Sequence, residues 1–149
     1  MSGLIRVNAF GSKSGLIRRN PVESDLVYTN YMTSPQTIDT GGEAITQLNR
    51  TYTYRAPHYL WVCGGLTMTA GGAFHSHVGI FLDGASIGHP DQHFTPQGNW
   101  WYMSWSFVSE NVVTAGQHAV TYTGDPQHIN WNIIGDHANS QAILRIIPV

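Results

Sequence analysis

Two histidines separated by a single residue are the first feature of this chain whose spacing could support chemistry. In a β-strand, residues i and i+2 point to the same face. His75 and His77 could therefore present both imidazoles to one metal ion. Imidazole is a common ligand of zinc and of other first-row metals. A metal-dependent function would start from this pair.

The residues that follow the pair favour a different interpretation. A cupin-like metal site would need a glutamate a few positions later and a third, distant histidine, whereas residues 78–82 contain no acid. We interpret the pair as histidines at the junction of a loop and a strand, and the sequence predicts no metal and no cofactor. A cupin-like metalloenzyme centred on His75 and His77 stays as an alternative, which elemental analysis of the purified chain would reveal.

Motifs for nucleophilic catalysis do not occur in the sequence. Ser76, Ser104 and Ser106 do not lie in a Gly-x-Ser-x-Gly turn, which exposes the serine nucleophile of many hydrolases. The single cysteine, Cys63, lies within an apolar run and is typical of a small core or interface residue. We therefore expect that the chain is not an enzyme.

An aromatic run over residues 99–105 could form a binding platform. With a period of two, Trp101, Trp105 and Phe107 face the interior, while Trp100 and Tyr102 lie on the other face. An exposed pair of this kind either stacks on sugars or bases, or lies in a subunit interface, where Trp and Tyr are enriched. The scarcity of charge in this chain favours the interface.

Composition limits the class of protein. The 149 residues suit one domain, and 42% of them are hydrophobic, which is enough for a core. Only 11% are charged, against about 25% in an average globular domain. One cysteine excludes an intrachain disulfide framework. No apolar run suits a secretory signal or a membrane span, so we expect synthesis in a reducing cytoplasm and no membrane partner.

Charge divides the chain into two parts. Residues 1–22 contain four basic residues and no acid, whereas residues 56–144 contain five acids and no Lys or Arg. We predict that residues 1–50 form an extended basic arm and linker that docks on an acidic protein surface and orders on binding. Without interleaved aromatics, this arm indicates no specific nucleic acid partner; a solvated tail without a partner is the alternative. The predicted contact residues of the arm are Leu4, Ile5, Arg6, Lys13, Leu16, Ile17, Arg18 and Arg19.

The sequence pattern of the rest of the chain is typical of an all-β protein. From residue 51 to 149, turn residues recur between segments in which apolar and polar residues alternate, and this pattern predicts a single antiparallel β-sandwich of about eight strands. Asp83-Gly84 is typical of a type I′ hairpin turn. Before residue 51, we expect a short strand near residues 27–31. Residues 43–48 could form one helical turn or the start of a strand, and we favour extended structure. The C-terminal strand, residues 142–149, is predicted to be buried on both faces apart from Arg145.

Residues 51–149 resemble a jelly roll of the tumour-necrosis-factor/C1q type. The resemblance lies in residues 59–65 as an early strand, residues 78–84 as a central hairpin, residues 115–120 before a penultimate strand pair, and a C-terminal strand. It implies a trimer that packs around aromatic and aliphatic residues of one sheet, and it implies no enzyme. The subunit interface predicted on this basis comprises Tyr59, Trp61, Trp100 and Tyr102.

A small jelly roll with a basic N-terminal arm and no secretion signal is similar to the decoration (cement) proteins of tailed bacteriophages. That resemblance implies a structural virion protein on the outer surface of the capsid, with homotrimeric assembly and the major capsid protein as its partner. The arm would then stabilise the capsid by lying over capsomer junctions. The alternative is a receptor- or glycan-binding tip domain of a phage tail fibre, in which Trp100, Tyr102 and nearby histidines contact surface glycans.

Overall fold

The computed structural model describes residues 27–39, 41–72, 74–94, 100–126, 129–135 and 140–149. Within these ranges the chain forms strands and one short 3₁₀ turn, Thr46–Leu48, and has no α-helix. The strands are β1 (Val27–Tyr31), β2 (Gln36–Ile38), β3 (Glu43–Ala44), β4 (Arg50–Tyr54), β5 (His58–Ala70), β6 (Phe74–Leu82), β7 (Ala85–Gly88), β8 (Asp91–Phe94), β9 (Trp101–Val108), β10 (Gly116–Pro126), β11 (Trp131–Ile133) and β12 (Gln141–Pro148). Nothing helical in this part of the chain has the length and apolar character needed to cross a lipid bilayer.

Two six-stranded antiparallel sheets form a sandwich, so the predicted all-β, jelly-roll-like fold class is confirmed. The first sheet is organised by β5, whose residues 58–65 pair with β12 and whose residues 61–68 pair with β9 on the opposite edge. Beyond β12 lies β1, and the far end of β5 pairs with β11, which carries β2. In the second sheet, β10 joins β3 and β4 on one side to β6 on the other, and β6 carries β7 and β8.

The core lies between the two sheets and follows the predicted alternation. On β5, Leu60 and Val62 are fully buried, and Val120 of β10 is fully buried opposite them in the second sheet. Trp105 of β9 is only 6% exposed, and Phe107 packs against the core, as predicted. Burial of such a side chain contributes about 1.5–3 kcal/mol relative to its exposure to water.

The sandwich begins earlier than the sequence analysis placed it. Strand β1 pairs with β12, β2 with β11 and β3 with β10, so the described residues between 27 and 50 fold with the sheets and are not an arm or linker. Met32, Ile38 and Ile45 are completely buried. The strand expected near residues 27–31 is present as β1, but β2 and β3, of three and two residues, are too short to show a period of two and could not be recognised from their pattern. Residues 1–26, which include every predicted contact residue of the arm, lie outside the described residues.

Side-chain amides fix this early segment to both sheets. Asn30 of β1 donates from Nδ2 to the carbonyl oxygen of Asn49 at 2.6 Å. The Oδ1 atom of Asn49 accepts the backbone N–H of Tyr122 on β10 at 2.9 Å. The guanidinium of Arg50 lies over the ring of Tyr28, 4.4 Å from its centroid. These contacts explain why the segment folds with the sandwich despite its short strands.

Two further sequence predictions have different outcomes. The type I′ hairpin is confirmed, because Asp83 and Gly84 both adopt positive φ, 51° and 83°, between the paired strands β6 and β7. The prediction that β12 is buried on both faces is wrong. Ala142 and Leu144 face the core, but Ile147 on the other side of the strand is 36% exposed. That side belongs to the outer surface of the first sheet, over which the described part of the chain places no further layer.

Candidate self-association face

The outward side of the first sheet gathers aromatic and aliphatic side chains. Register places Val27, Arg145, Trp61 and Val108 directly opposite one another, in a row across β1, β12, β5 and β9. Because side chains alternate along a strand, every second residue of these strands reaches the same surface. We call this surface the aromatic face, and it is formed by Tyr59, Trp61, Cys63, Tyr102, Val108, Ile143 and Ile147.

Arg145 of β12 lies on the same side of the sheet as this face, next to Trp61, but the residues that form the face are uncharged and several of them are well exposed. Tyr102 is 53% exposed and Val108 is 52% exposed, while Tyr59 and Trp61 are half-buried among them. A group of exposed aromatic and aliphatic side chains of this kind on a small protein typically marks an interaction site. Aromatic residues are enriched at the centres of such interfaces.

Two rings of the aromatic face are held in place by the sheet beneath them. The indole Nε1 of Trp61 donates to the hydroxyl of Ser106 on β9 at 2.8 Å. The phenol ring of Tyr102 lies over Gly65, where a Cβ atom would collide with the phenol oxygen. Because these rings are already ordered, a partner that binds them loses less side-chain entropy than one that binds mobile rings.

Strand β9 forms a border of this face. Among the described residues β9 pairs with β5 alone, and its eight residues include no charged residue and no proline. Natural proteins usually protect edge strands with charge, proline or a bulge, because unpaired backbone groups attract other strands. An uncharged edge next to an apolar face is therefore typical of a surface that another subunit covers.

The structure brings three of the four predicted interface residues to one surface. Tyr59, Trp61 and Tyr102 lie on the aromatic face, and Trp100 directly precedes β9 and is 60% exposed. Their role as a subunit interface stays a prediction. Sequence reasoning missed Val108 and Ile147. The alternation in β9 placed Val108 opposite the core, and its apolar character was the signal that could have identified it.

Cys63 lies in the middle of the aromatic face. It is half-buried, between Ile143 of β12 and Ser106 of β9 in the sheet register. Burial raises the pKa of its thiol. The thiol is therefore a weak nucleophile at neutral pH, since the thiolate is the reactive form.

A second feature, absent from the sequence predictions, is a cleft of about 500 Å³ between the β6–β7 hairpin and residues 109–114. In its wall, His118 contacts Asp83 Oδ2 through Nδ1 at 2.6 Å and the carbonyl oxygen of Thr114 through Nε2 at 2.9 Å. The two contacts hold the ring between the hairpin turn and the loop that precedes β10.

The same contacts change the pKa of the Asp83 carboxyl group. Partial burial raises its pKa, but hydrogen bonds from His118 and from the Ala119 amide, together with the charge of His118, outweigh this and lower the pKa overall. A hydrogen bond to the ionised form of a carboxyl group favours that form. The pair therefore works as a structural contact at the turn of the β6–β7 hairpin.

A neutral histidine packs against this contact. His58 is completely buried, donates from Nδ1 to the carbonyl oxygen of Ala56 and accepts the hydroxyl of Tyr52 at Nε2, each at 2.9 Å. Burial lowers the pKa of His58; the hydrogen bond to Ala56 opposes this, and the nearby His118 adds to it. Burial also raises the pKa of Tyr52, so the phenol stays protonated and donates.

No protein-family model matches the chain, and comparison with curated proteins finds no relative. Its backbone is similar to dimeric latent PorU from Porphyromonas gingivalis, with a TM-score of 0.50, 10% identity and coverage of 84% of this chain and 13% of that one. It is similar to VP2 in a subviral particle of infectious bursal disease virus, with a TM-score of 0.50, 16% identity and coverage of 83% and 32%. A CBM36-1 domain of a multidomain xylanase from the hindgut metagenome of Trinervitermes trinervoides has a TM-score of 0.43, 8% identity and coverage of 80% and 96%.

The likenesses to PorU and VP2 show the fold. Identities of 10% and 16% are too low to carry an activity from one protein to another. The chain spans about a third of VP2 and a smaller part of PorU. The chain is thus a β-sandwich of a type that also occurs in VP2.

Proposed function

We propose that this chain is a structural virion protein that forms a homotrimer through its aromatic face and attaches to the outer surface of a phage capsid through its basic N-terminal segment. The observation that carries the proposal is the ordered, exposed aromatic face beside the uncharged edge strand β9. The proposal assigns no catalytic step to the chain. The fold that it shares with VP2, a protein that builds a viral particle, supports a virion role.

The distribution of charge supports separate roles for the basic N-terminal segment, which attaches to the capsid, and the sandwich, which self-associates. Residues 1–22 carry four positive charges, and residues 56–144 carry five negative ones. A positive segment binds an acidic capsid surface more readily than the acidic body does. Three such segments on one trimer multiply a weak single contact, provided that all three can reach the capsid together.

Sedimentation equilibrium of the full chain tests self-association. We expect a trimer for the native chain and a monomer for Val108→Glu, because the new carboxylate would be buried in the interface. Val112→Glu is the matched control, since Val112 is 42% exposed but lies among residues 109–114, which line the cleft and are separate from the aromatic face. A monomeric native chain at micromolar concentration, or a trimer that tolerates Val108→Glu, contradicts the interface.

Co-sedimentation with phage heads tests attachment. A chain that lacks residues 1–20 should remain trimeric, because the described sandwich begins at residue 27, and should no longer sediment with heads of the phage that encodes it. Binding that survives this truncation contradicts the role of the basic segment.

Exposed Trp100 and Tyr102 favour a second candidate, a glycan-binding tip domain of a tail fibre. Trp100 is 60% exposed, and aromatic faces of this kind stack on sugar rings. A glycan array separates the two functions. A specific signal that Trp100→Ala abolishes supports the tip domain, whereas a decoration protein gives no signal.

A further inference from the structure

The second sheet places three potential metal ligands next to one another on its outer surface. Strands β6 and β8 are antiparallel neighbours, and their register sets His77 directly opposite Asp91. His75 lies two residues before His77 and therefore on the same side of β6. Ser76, between them, is completely buried toward the core. The fold thus aligns two imidazoles and a carboxylate that are 14 to 16 positions apart in the sequence.

The distances between the ligand atoms suit a single small cation. The Nε2 atom of His77 lies 3.1 Å from Asp91 Oδ1, and the Nε2 atom of His75 lies 4.0 Å from the same oxygen. All three ligand atoms lie within 4.8 Å of one another. In a tetrahedral zinc site with bonds of about 2.0–2.1 Å, ligand atoms are roughly 3.3 Å apart. Small side-chain rotations therefore bring the three groups onto one ion.

The surroundings of this cluster favour a cation. On the other side of β6, Asp125 of β10 is opposite His77 in register, so the row across the sheet carries a carboxylate on each side of the imidazole. The ring of exposed His89 lies 5.3 Å from that of His77, centroid to centroid.

We propose that His75, His77 and Asp91 bind one Zn²⁺ ion, with water completing its coordination. Two imidazoles and one carboxylate suit zinc, whereas Mg²⁺ and Ca²⁺ prefer sites built from oxygen ligands. The ion is structural. It ties β8, a four-residue edge strand, to the longer β6 and so stabilises the edge of the second sheet. This site is independent of the proposed virion function.

Titration calorimetry with ZnCl₂ on the metal-free full chain tests the site. We expect one high-affinity ion per chain and no binding of MgCl₂. His77→Ala and Asp91→Asn should each weaken zinc binding by about 100-fold or more, since each removes a ligand. Glu110→Gln removes the same charge as Asp91→Asn from an exposed position outside the cluster and should leave the affinity unchanged. Equal affinity in all four proteins overturns the proposal.

Hydrogen exchange provides a second test that does not need a variant. If zinc clips β8 to β6, saturating ZnCl₂ should slow amide exchange in residues 91–94 by about tenfold or more, while exchange in β12 stays the same. Zinc binding that leaves residues 91–94 unprotected would show that the ion uses other histidines of the chain, and would overturn the site.

Discussion

The Nδ1 atom of His118 lies 2.6 Å from the Oδ2 atom of Asp83, and this contact ties the tip of a hairpin to a central strand of its own sheet. Asp83 occupies the first central position of the turn with a φ of 51°. Its second oxygen, Oδ1, accepts the backbone N–H of Ala119 at 2.8 Å. One residue therefore sets the turn geometry and joins the turn to β10.

Replacement of this carboxylate should destabilise the sandwich. Asp83→Asn keeps a side chain that tolerates positive φ but removes the charge, so we expect a loss of about 1 kcal/mol after allowance for solvent screening of this half-exposed group. Urea unfolding at pH 7 measures the change. The pKa of Asp83 is lowered in the folded protein, so the stabilisation that its carboxylate provides is lost as the pH falls below 3.8. The difference in free energy of unfolding between the native chain and Asp83→Asn should therefore narrow there. A constant gap down to pH 3 would contradict this origin.

Protonation of His58 should limit stability in mild acid. Its pKa is lowered in the folded protein by burial, so the unfolded chain binds the proton more tightly. The free energy of unfolding should therefore fall as the pH drops below about 6.5, by up to 1.4 kcal/mol per pH unit. Urea unfolding at pH 7.5, 6.5 and 5.5, with chelator present, measures the slope.

His58→Gln separates this effect from that of other titrating groups. The variant loses two hydrogen bonds and is expected to be less stable at every pH, but its stability should depend less steeply on pH than that of the native chain. If the two slopes are the same, His58 is not the group responsible.

Gly64 in β5 and Gly71 in the turn that follows it allow a controlled test of how closely the chain packs around a glycine. At Gly64 a Cβ atom would collide with the carbonyl oxygen of Gln141 and lie 2.9 Å from the indole of Trp105, whereas at Gly71 it would meet nothing within 4 Å. Gly64→Ala should cost about 1–3 kcal/mol and lower the Tm by roughly 3–10 °C. Gly71→Ala should leave the Tm unchanged or raise it slightly. Calorimetry of both variants checks the contrast, and equal Tm values would refute it.

The reactivity of Cys63 should report on the proposed interface. Its thiol has a raised pKa and lies on the aromatic face, so we expect slow reaction with a disulfide reagent at pH 7.5 in the native chain. In Val108→Glu, dissociation would uncover the face, and the rate should rise by about tenfold. Val112→Glu should react like the native chain. Equal rates in the three proteins would mean that nothing covers Cys63 in solution.

The features that the sequence predicted are those with a long local signal. The alternation in β5, β9 and β10 extends over 8 to 13 residues, and in β9 it placed Trp105 in the core correctly. The Asp83-Gly84 turn needs positive φ at two adjacent residues, which few sequences provide. Such signals depend only on neighbouring residues and therefore can be read without a structure.

The features that were missed depend on contacts between distant residues. Strands β2 and β3 have three and two residues, and they are identified as strands by their pairing with β11 and β10, far away in the sequence. Asp91 meets His77 because the edge of the second sheet is interrupted at His89-Pro90 and resumes as β8. No local pattern specifies that register. The sequence alone therefore indicated His75 and His77 as possible metal ligands, but it did not indicate Asp91.

The position of β12 between β1 and β5 has a consequence for synthesis on the ribosome. Tyr31 pairs with Gln141, about 110 positions later, and Trp61 pairs with Arg145. At a translation rate of roughly 5–20 residues per second, at least several seconds pass between the synthesis of β1 and β5 and that of β12, the strand that joins them. During that interval the nascent chain displays an unfinished sheet with its tryptophans uncovered. Chaperones that recognise apolar segments therefore have a defined period in which to act before the first sheet closes.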